Sequence, residues 1–111
     1  MYRTLYCNDI SESHVGQRVQ LAGWVDVIRD HGGVIFVDIR DYTGITQTVI
    51  HDEEMVKNVN RETVISVSGI VRKRDEDTVN TKIATGYVEL VVDELTVLGK
   101  SKNMLPFDVR G

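Results

Sequence analysis

VQLAGWVDVIRDHGGVIFVDIRDYTGITQTVIH, residues 19–51, alternates apolar and polar side chains in three short runs separated by turn residues. A period of two puts successive side chains on opposite faces of an extended chain, so each run reads as a β-strand with one face inward. In the first, Val19 to Arg29, the residues Val19, Leu21, Val25 and Val27 share one parity. Gly23 interrupts them at the middle, as glycine does where a strand bends at a barrel corner. Asp30-His31-Gly32-Gly33 is a turn, and Val34 to Arg40 follows at hairpin distance. Ile35, Val37 and Ile39 lie on one side of this second strand, and Phe36, Asp38 and Arg40 on the other. Asp41-Tyr42-Thr43-Gly44 turns the chain again, into a third strand from Ile45 to His51 rich in threonine and β-branched residues.

Between Asp52 and Asn60 the period changes. Asp52 suits a cap, Glu53 and Glu54 a first turn, and Met55, Val56 and Val59 fall at helical spacing, which predicts one short helix. A fourth strand, Thr63 to Lys73, carries Ile65, Val67 and Val71 on one face and Gly69 inside it. The polar loop Arg74 to Ala84 precedes a last strand that begins near Thr85, with Val88, Leu90 and Val92 opposed to Tyr87, Glu89 and Asp93. Five strands with glycine-bent members and a helix between the third and fourth predict an all-β chain: the five-stranded Greek-key barrel of the OB-fold. Residues 1–16 are expected to pack on the barrel as a prefix, with Ser11 capping and Gly16 ending one helical turn; 17–98 form the barrel; 99–111 begin a linker.

At 111 residues, 41% hydrophobic and 27% charged, the chain suits a single folded domain. No run approaches the roughly eighteen apolar residues of a membrane span, and Met1-Tyr2-Arg3-Thr4 lacks the apolar core of a signal peptide, so the expected location is the cytoplasm. Cys7 is the only cysteine, which excludes an internal disulfide. His14, His31 and His51 have no metal-ligand spacing, Gly32-Gly33 is too short to cradle a phosphate, and no nucleophile sits in a strand-turn-helix setting. No catalytic residue, metal or cofactor is therefore assigned to this segment. A net charge of −4 opposes non-specific coating of nucleic acid, but allows a small specific reader with its basic groups gathered on one face.

OB-folds bind oligonucleotides on the face of strands two and three, aided by the loops joining strands one to two and four to five. That rule selects Phe36, the region of Gln47, Asp30 to Gly33 and Arg74 to Ala84. An outward aromatic is a platform for stacking a base, and equally a ring that covers the barrel's open end. Gln47 shares parity with Ile45 and Val49, which leaves its direction open. Glu89 either accepts hydrogen bonds from guanine N–H groups or is a surface carboxylate. Arg29, Arg40, Arg72, Lys73, Arg74 and Lys82 lie at strand ends or in the two loops, available for phosphate contact or simply solvated.

Gly23-Trp24-Val25, Arg29-Asp30-His31-Gly32-Gly33, Phe36, Asp38-Ile39-Arg40-Asp41, Gly44 and Gln47, in this order, resemble the N-terminal domain of bacterial-type aspartyl-tRNA synthetases. Arg3 to Cys7, Asn80, Thr85-Gly86, Val88-Glu89 and Leu105-Pro106-Phe107 fit the same pattern, so the resemblance covers essentially the whole chain. It implies an anticodon-binding module in which Phe36 stacks on the middle anticodon base and Gln47 hydrogen-bonds it. Arg29 is implied as a further contact, Glu89 faces the first base, and Asn80 is a weaker transfer. The parent it implies is a homodimeric class II ligase that uses ATP and Mg²⁺ to charge tRNA with aspartate; its catalytic motifs are not in this segment, which reads as an N-terminal fragment. Histidine at position 31 resembles members that charge both aspartate and asparagine tRNAs. Val27 and Ile28 stand where many members are basic, and Tyr87 where glutamate is common. The alternatives are the anticodon domain of an asparaginyl- or lysyl-tRNA synthetase, and a free-standing OB-fold for single strands or for another protein.

Overall fold

The computed structural model describes residues 5–61, 63–76, 79–82 and 85–100, the last without its side chain. Arg3, Thr4 and Leu105 to Phe107, which carry part of the resemblance, lie outside these. Five strands form a closed barrel: β1 (Arg18–His31), β2 (Val34–Asp41), β3 (Gly44–Ile50), β4 (Thr63–Lys73) and β5 (Val88–Lys100). Their order around it is β1-β2-β3-β5-β4, with β3 and β5 parallel and the other neighbours antiparallel.

Closure depends on β1 serving two partners. Residues 18–24 pair with β4 and residues 24–31 with β2, so the strand turns a corner at Trp24, which is paired on both sides. A Cβ on the preceding Gly23 would lie 2.3 Å from the Arg40 carbonyl oxygen, so the bend needs a residue without one. The register then slips at Asp26 between Val25 and Val27. This bulge reverses the parity expected for Val27: Val27 pairs with Asp38 on the outer face, and Ile28 packs against the core instead. The strand also runs on through Asp30 and His31, leaving Gly32 and Gly33 alone as the turn. Both have positive φ, +65° and +94°, as a type I′ two-residue hairpin turn requires, and the Asp30 carboxylate accepts the Gly33 N–H at 3.1 Å.

The core is almost wholly aliphatic: Leu21, Val25, Val37, Ile39, Ile65, Val67, Val71 and Leu90 are at most 1% exposed. Each such side chain contributes about 1.5–3 kcal/mol on leaving water. Thr46 and Thr48 of β3 also point inward and are fully buried. Their hydroxyls donate to the carbonyls of Cys7 at 2.6 Å and Val37 at 2.7 Å, which removes the desolvation penalty.

Before β1 the described residues form two 3-10 turns, Cys7–Asp9 and Glu12–His14, with Cys7 and Ile10 buried in the core. Gly16, at φ +87°, ends the second turn, and its N–H donates to Val71 of β4. The buried Asp41 carboxylate ties the prefix to the β2–β3 turn, accepting from the N–H groups of Cys7 (2.7 Å) and Thr43 (2.8 Å) and from the Thr43 hydroxyl (2.6 Å). Burial and this carboxylate push the Cys7 thiol far above its usual range.

Three further expectations are revised. The short helix at 52–60 is one 3-10 turn, Glu53–Val56, capped by Asp52; its i→i+3 bonds cover more length per residue than an α-helix, which suits so short a link into β4. The last strand starts at Val88, because Thr85 to Tyr87 are held in a turn by the Val88 N–H to Thr85 carbonyl bond. It also continues through Gly99 and Lys100, paired with Val64 and Thr63, where a linker was expected to begin. Among the described residues no helix is long and apolar enough to cross a membrane.

Candidate nucleic-acid interface

The outer face is decided by register. Arg29, Phe36 and Val49 are paired across β1, β2 and β3, and so are Val27, Asp38 and Gln47, so Phe36, Asp38 and Gln47 share one face. The parallel β3–β5 pairing of Thr48 with Leu90 brings Glu89 beside Gln47, and the β4–β5 pairing sets Arg72 opposite Glu89. One polar side chain from each of the five strands therefore falls in a single row.

That row is hydrogen-bonded from end to end. Arg29 forks onto both Asp38 carboxylate oxygens at 3.2 and 3.3 Å, and its Nη2 also donates to Gln47 Oε1 at 3.1 Å. Gln47 Nε2 donates to Glu89 Oε1 at 2.8 Å, and Arg72 Nε to Glu89 Oε2 at 2.6 Å. Gln47 and Glu89 are 6% and 4% exposed. The open direction of Gln47 is thus resolved towards the row, and Glu89 is not the solvated surface carboxylate that its outward parity allowed. Arg74, also buried, donates Nε to the Val88 carbonyl at 2.9 Å. Burial holds its guanidinium below the ordinary range, while the Asp38 and Glu89 carboxylates pull the other way.

Phe36, on β2 opposite Arg29 of β1, is half-buried and outside the core cluster. His31, exposed at the end of β1, meets its ring edge-on, with centroids 5.3 Å apart and planes at 84°. Asn80 is exposed in the loop before β5, its N–H bonded to the Gly86 carbonyl and its Oδ1 accepting from Lys82 N–H at 3.0 Å. The structure therefore brings Arg29, Phe36, His31, Gln47 and Glu89 together on one face. Asn80 stands in the loop before β5 and has no hydrogen bond to the row.

Reading by sequence missed Asp38 and Arg72 as members of the row. It grouped Arg29, Arg40 and Arg72 as phosphate candidates, yet each is paired to a carboxylate, Arg40 with Asp26 at 3.3 Å. Lys73 reaches Glu12 at 3.5 Å, both exposed, an arrangement of small energetic worth. The signal that was available for Asp38 is the hairpin register, which puts it diagonally across from Arg29.

Residues 19–98 match the family described as OB-fold nucleic acid binding domain. The chain belongs to that family. Among relatives of this OB-fold domain, the aspartate–tRNA(Asp/Asn) ligase of Bifidobacterium longum strain DJO10A is 49% identical over 108 residues, 97% of this chain and 18% of that protein. The aspartate–tRNA(Asp/Asn) ligase of Roseobacter denitrificans is 46% identical over 115 residues, covering 100% of this chain and 19% of that protein. The chain thus spans less than a fifth of the length of either. Among solved structures, asparaginyl-tRNA synthetase from Pyrococcus horikoshii superposes with a TM-score of 0.72 at 33% identity, over 90% of this chain and 24% of that one.

Proposed function

We propose that this domain reads the anticodon loop of aspartate tRNA, and of asparagine tRNA, as the anticodon-binding part of a class II aspartate–tRNA ligase. The observation that carries the reading is the row of oriented donors and acceptors from Arg29 to Arg72 beside an aromatic ring outside the core. A stacking ring flanked by fixed amide and carboxylate groups suits unstacked bases with exposed Watson–Crick edges. Phe36 stacks on the middle base and Gln47 hydrogen-bonds it. Glu89 accepts from the first base, Arg29 supports the same set, and Asn80 borders it from the loop before β5. His31 faces the last base, where the two tRNAs differ.

Relatives at 46–49% identity are named for both tRNAs, which supports the double specificity. The asparaginyl-tRNA synthetase likeness, at 33%, fits less well. In this reading the parent is a cytoplasmic homodimer that charges tRNA with ATP and Mg²⁺. Among the described residues no group of three or more His, Cys, Asp or Glu side chains is arranged to hold a metal ion; in this reading Mg²⁺ and ATP belong to the remainder of the parent. The test is titration of the 111-residue chain with RNA hairpins that differ only in the three anticodon bases. Preference for the aspartate and asparagine anticodons is expected; equal binding to every hairpin would leave a general single-strand binder.

A further inference from the structure

Arg72 has the position of a phosphate contact and the bonding of something else. It lies on β4, half-exposed, yet its Nε points inward and donates to Glu89 Oε2 at 2.6 Å. With Arg72 in place the Glu89 side chain is 6% exposed, so this oxygen is satisfied by the guanidinium rather than by solvent. The other oxygen, Oε1, is taken by Gln47 Nε2. A carboxylate only accepts and a guanidinium only donates, so Glu89 on one side and Arg29 on the other fix the Gln47 amide: nitrogen towards β5, oxygen towards β1. An amide turned over would set oxygen against oxygen at Glu89 and nitrogen against nitrogen at Arg29. The orientation of Gln47 thus depends on where Glu89 is held, and Glu89 is held from β4 by one N–H.

We infer that Arg72 is a positioning residue for base reading: it orients the Glu89 carboxylate and, through it, the Gln47 amide, and makes no phosphate contact of its own. The inference rests on the reading of this face as an anticodon surface. Gln47 and Glu89 supply the donor and acceptor atoms that meet bases; Arg72 determines which way those atoms point.

Two substitutions separate the donor from the charge. Arg72→Gln ends in a nitrogen at the same bond count from Cα as the arginine Nε, so it keeps the donor and loses the charge. Arg72→Lys keeps the charge but has a methylene at that place. The 111-residue chain and both variants are titrated with RNA hairpins bearing guanine or adenine at the first anticodon position, across a range of salt concentrations. Adenine lacks guanine's N1–H and N2–H groups, the pair of donors that Glu89 would accept in this reading. The parent should prefer guanine by about 5- to 150-fold, the range for a good bidentate base contact. Arg72→Lys should reduce that preference by about fivefold or more with the salt slope unchanged, and Arg72→Gln should keep it within about twofold. In parallel, the Gln47 side-chain amide signals in the ¹⁵N spectrum should shift in Arg72→Lys and stay in place in Arg72→Gln.

The inference is overturned if Arg72→Lys retains both the preference and the Gln47 signals, or if both variants lose the preference alike. It is also overturned if Arg72→Gln weakens every hairpin equally and lowers the slope of log affinity against log salt by about 0.7, the mark of one lost phosphate contact. A parent with no preference between the hairpins removes the anticodon reading itself, and this inference with it. A selective parent whose Arg72→Lys variant is unchanged removes only the inference.

Discussion

Replacing Phe36 by alanine separates a stacking platform from a core residue, because the two roles differ in where the free energy is lost. The ring is half-buried on the outer face, paired across the sheet with Arg29 and Val49, and in edge-on contact with His31. Truncating a buried phenylalanine in a core costs about 3–5 kcal/mol of stability. Here the loss is the edge-on contact, about 0.5–1.5 kcal/mol, with a partly retained area term, so the folded state should be destabilised by about 2 kcal/mol or less. Binding should suffer more in proportion: a base stacked on an aromatic side chain is worth about 1–3 kcal/mol, or roughly 5- to 150-fold in affinity. The checks are urea unfolding followed by circular dichroism and fluorescence anisotropy with a labelled aspartate anticodon hairpin, at one fixed salt concentration. A variant that loses core-like stability, or one that folds and binds the hairpin as well as the parent, would refute the platform.

Two further outcomes follow from particular contacts. His31→Leu removes the ring edge beside Phe36, and with it the imidazole proposed to face the last anticodon base. It should shift preference towards the aspartate over the asparagine hairpin by less than the 1–3 kcal/mol of a full base contact, and an unchanged ratio would reject that role. The Cys7 thiol, raised by burial and by Asp41, stays protonated in the folded domain at a pH where the unfolded thiol, near 8.5, has ionised. A raised folded pKa means its contribution is complete below about pH 8.5 and is lost as pH climbs above it, by up to about 1.4 kcal/mol per pH unit. Parent and Cys7→Ala stabilities compared from pH 7.5 to 9.5 should therefore converge as pH rises; parallel curves would contradict the buried, protonated thiol.

The barrel was legible because its inward residues on β1, β2, β4 and β5 are aliphatic at period two, and no competing pattern overlays them. Val27 shows the limit of that signal: one bulge residue, Asp26, reverses the parity of everything after it, and a bulge has no period of its own. β3 was harder. Its inward residues include Thr46 and Thr48, satisfied by carbonyls of Cys7 and Val37 that are distant in sequence. The apolar Ile45 and Val49 lie on the outer face with Gln47. Counting apolar residues on that strand selects the wrong face, so the direction of Gln47 was undecidable until the register was known. The 3-10 turn at Glu53–Val56 was misjudged as longer because helical spacing is met by the first turn of either helix type.

The polar row accounts for an acidic chain with the features of a nucleic-acid reader. Counted as free charges, the acids outnumber the bases and speak against RNA. On this face they are not free: Asp38 and Glu89 are bound to Arg29 and Arg72, and Asp26 to Arg40. The pairing converts charges that would repel or attract phosphates indiscriminately into donors and acceptors of fixed direction, which is what reading a base edge requires. Affinity in such a surface comes less from released counterions than from stacking and edge contacts. Its salt dependence should accordingly be shallow for a nucleic-acid binder. Composition missed this because net charge sums over side chains, whereas recognition depends on which of them are already committed to one another, and that is settled only when β4 and β5 close the barrel and bring Arg72 against Glu89.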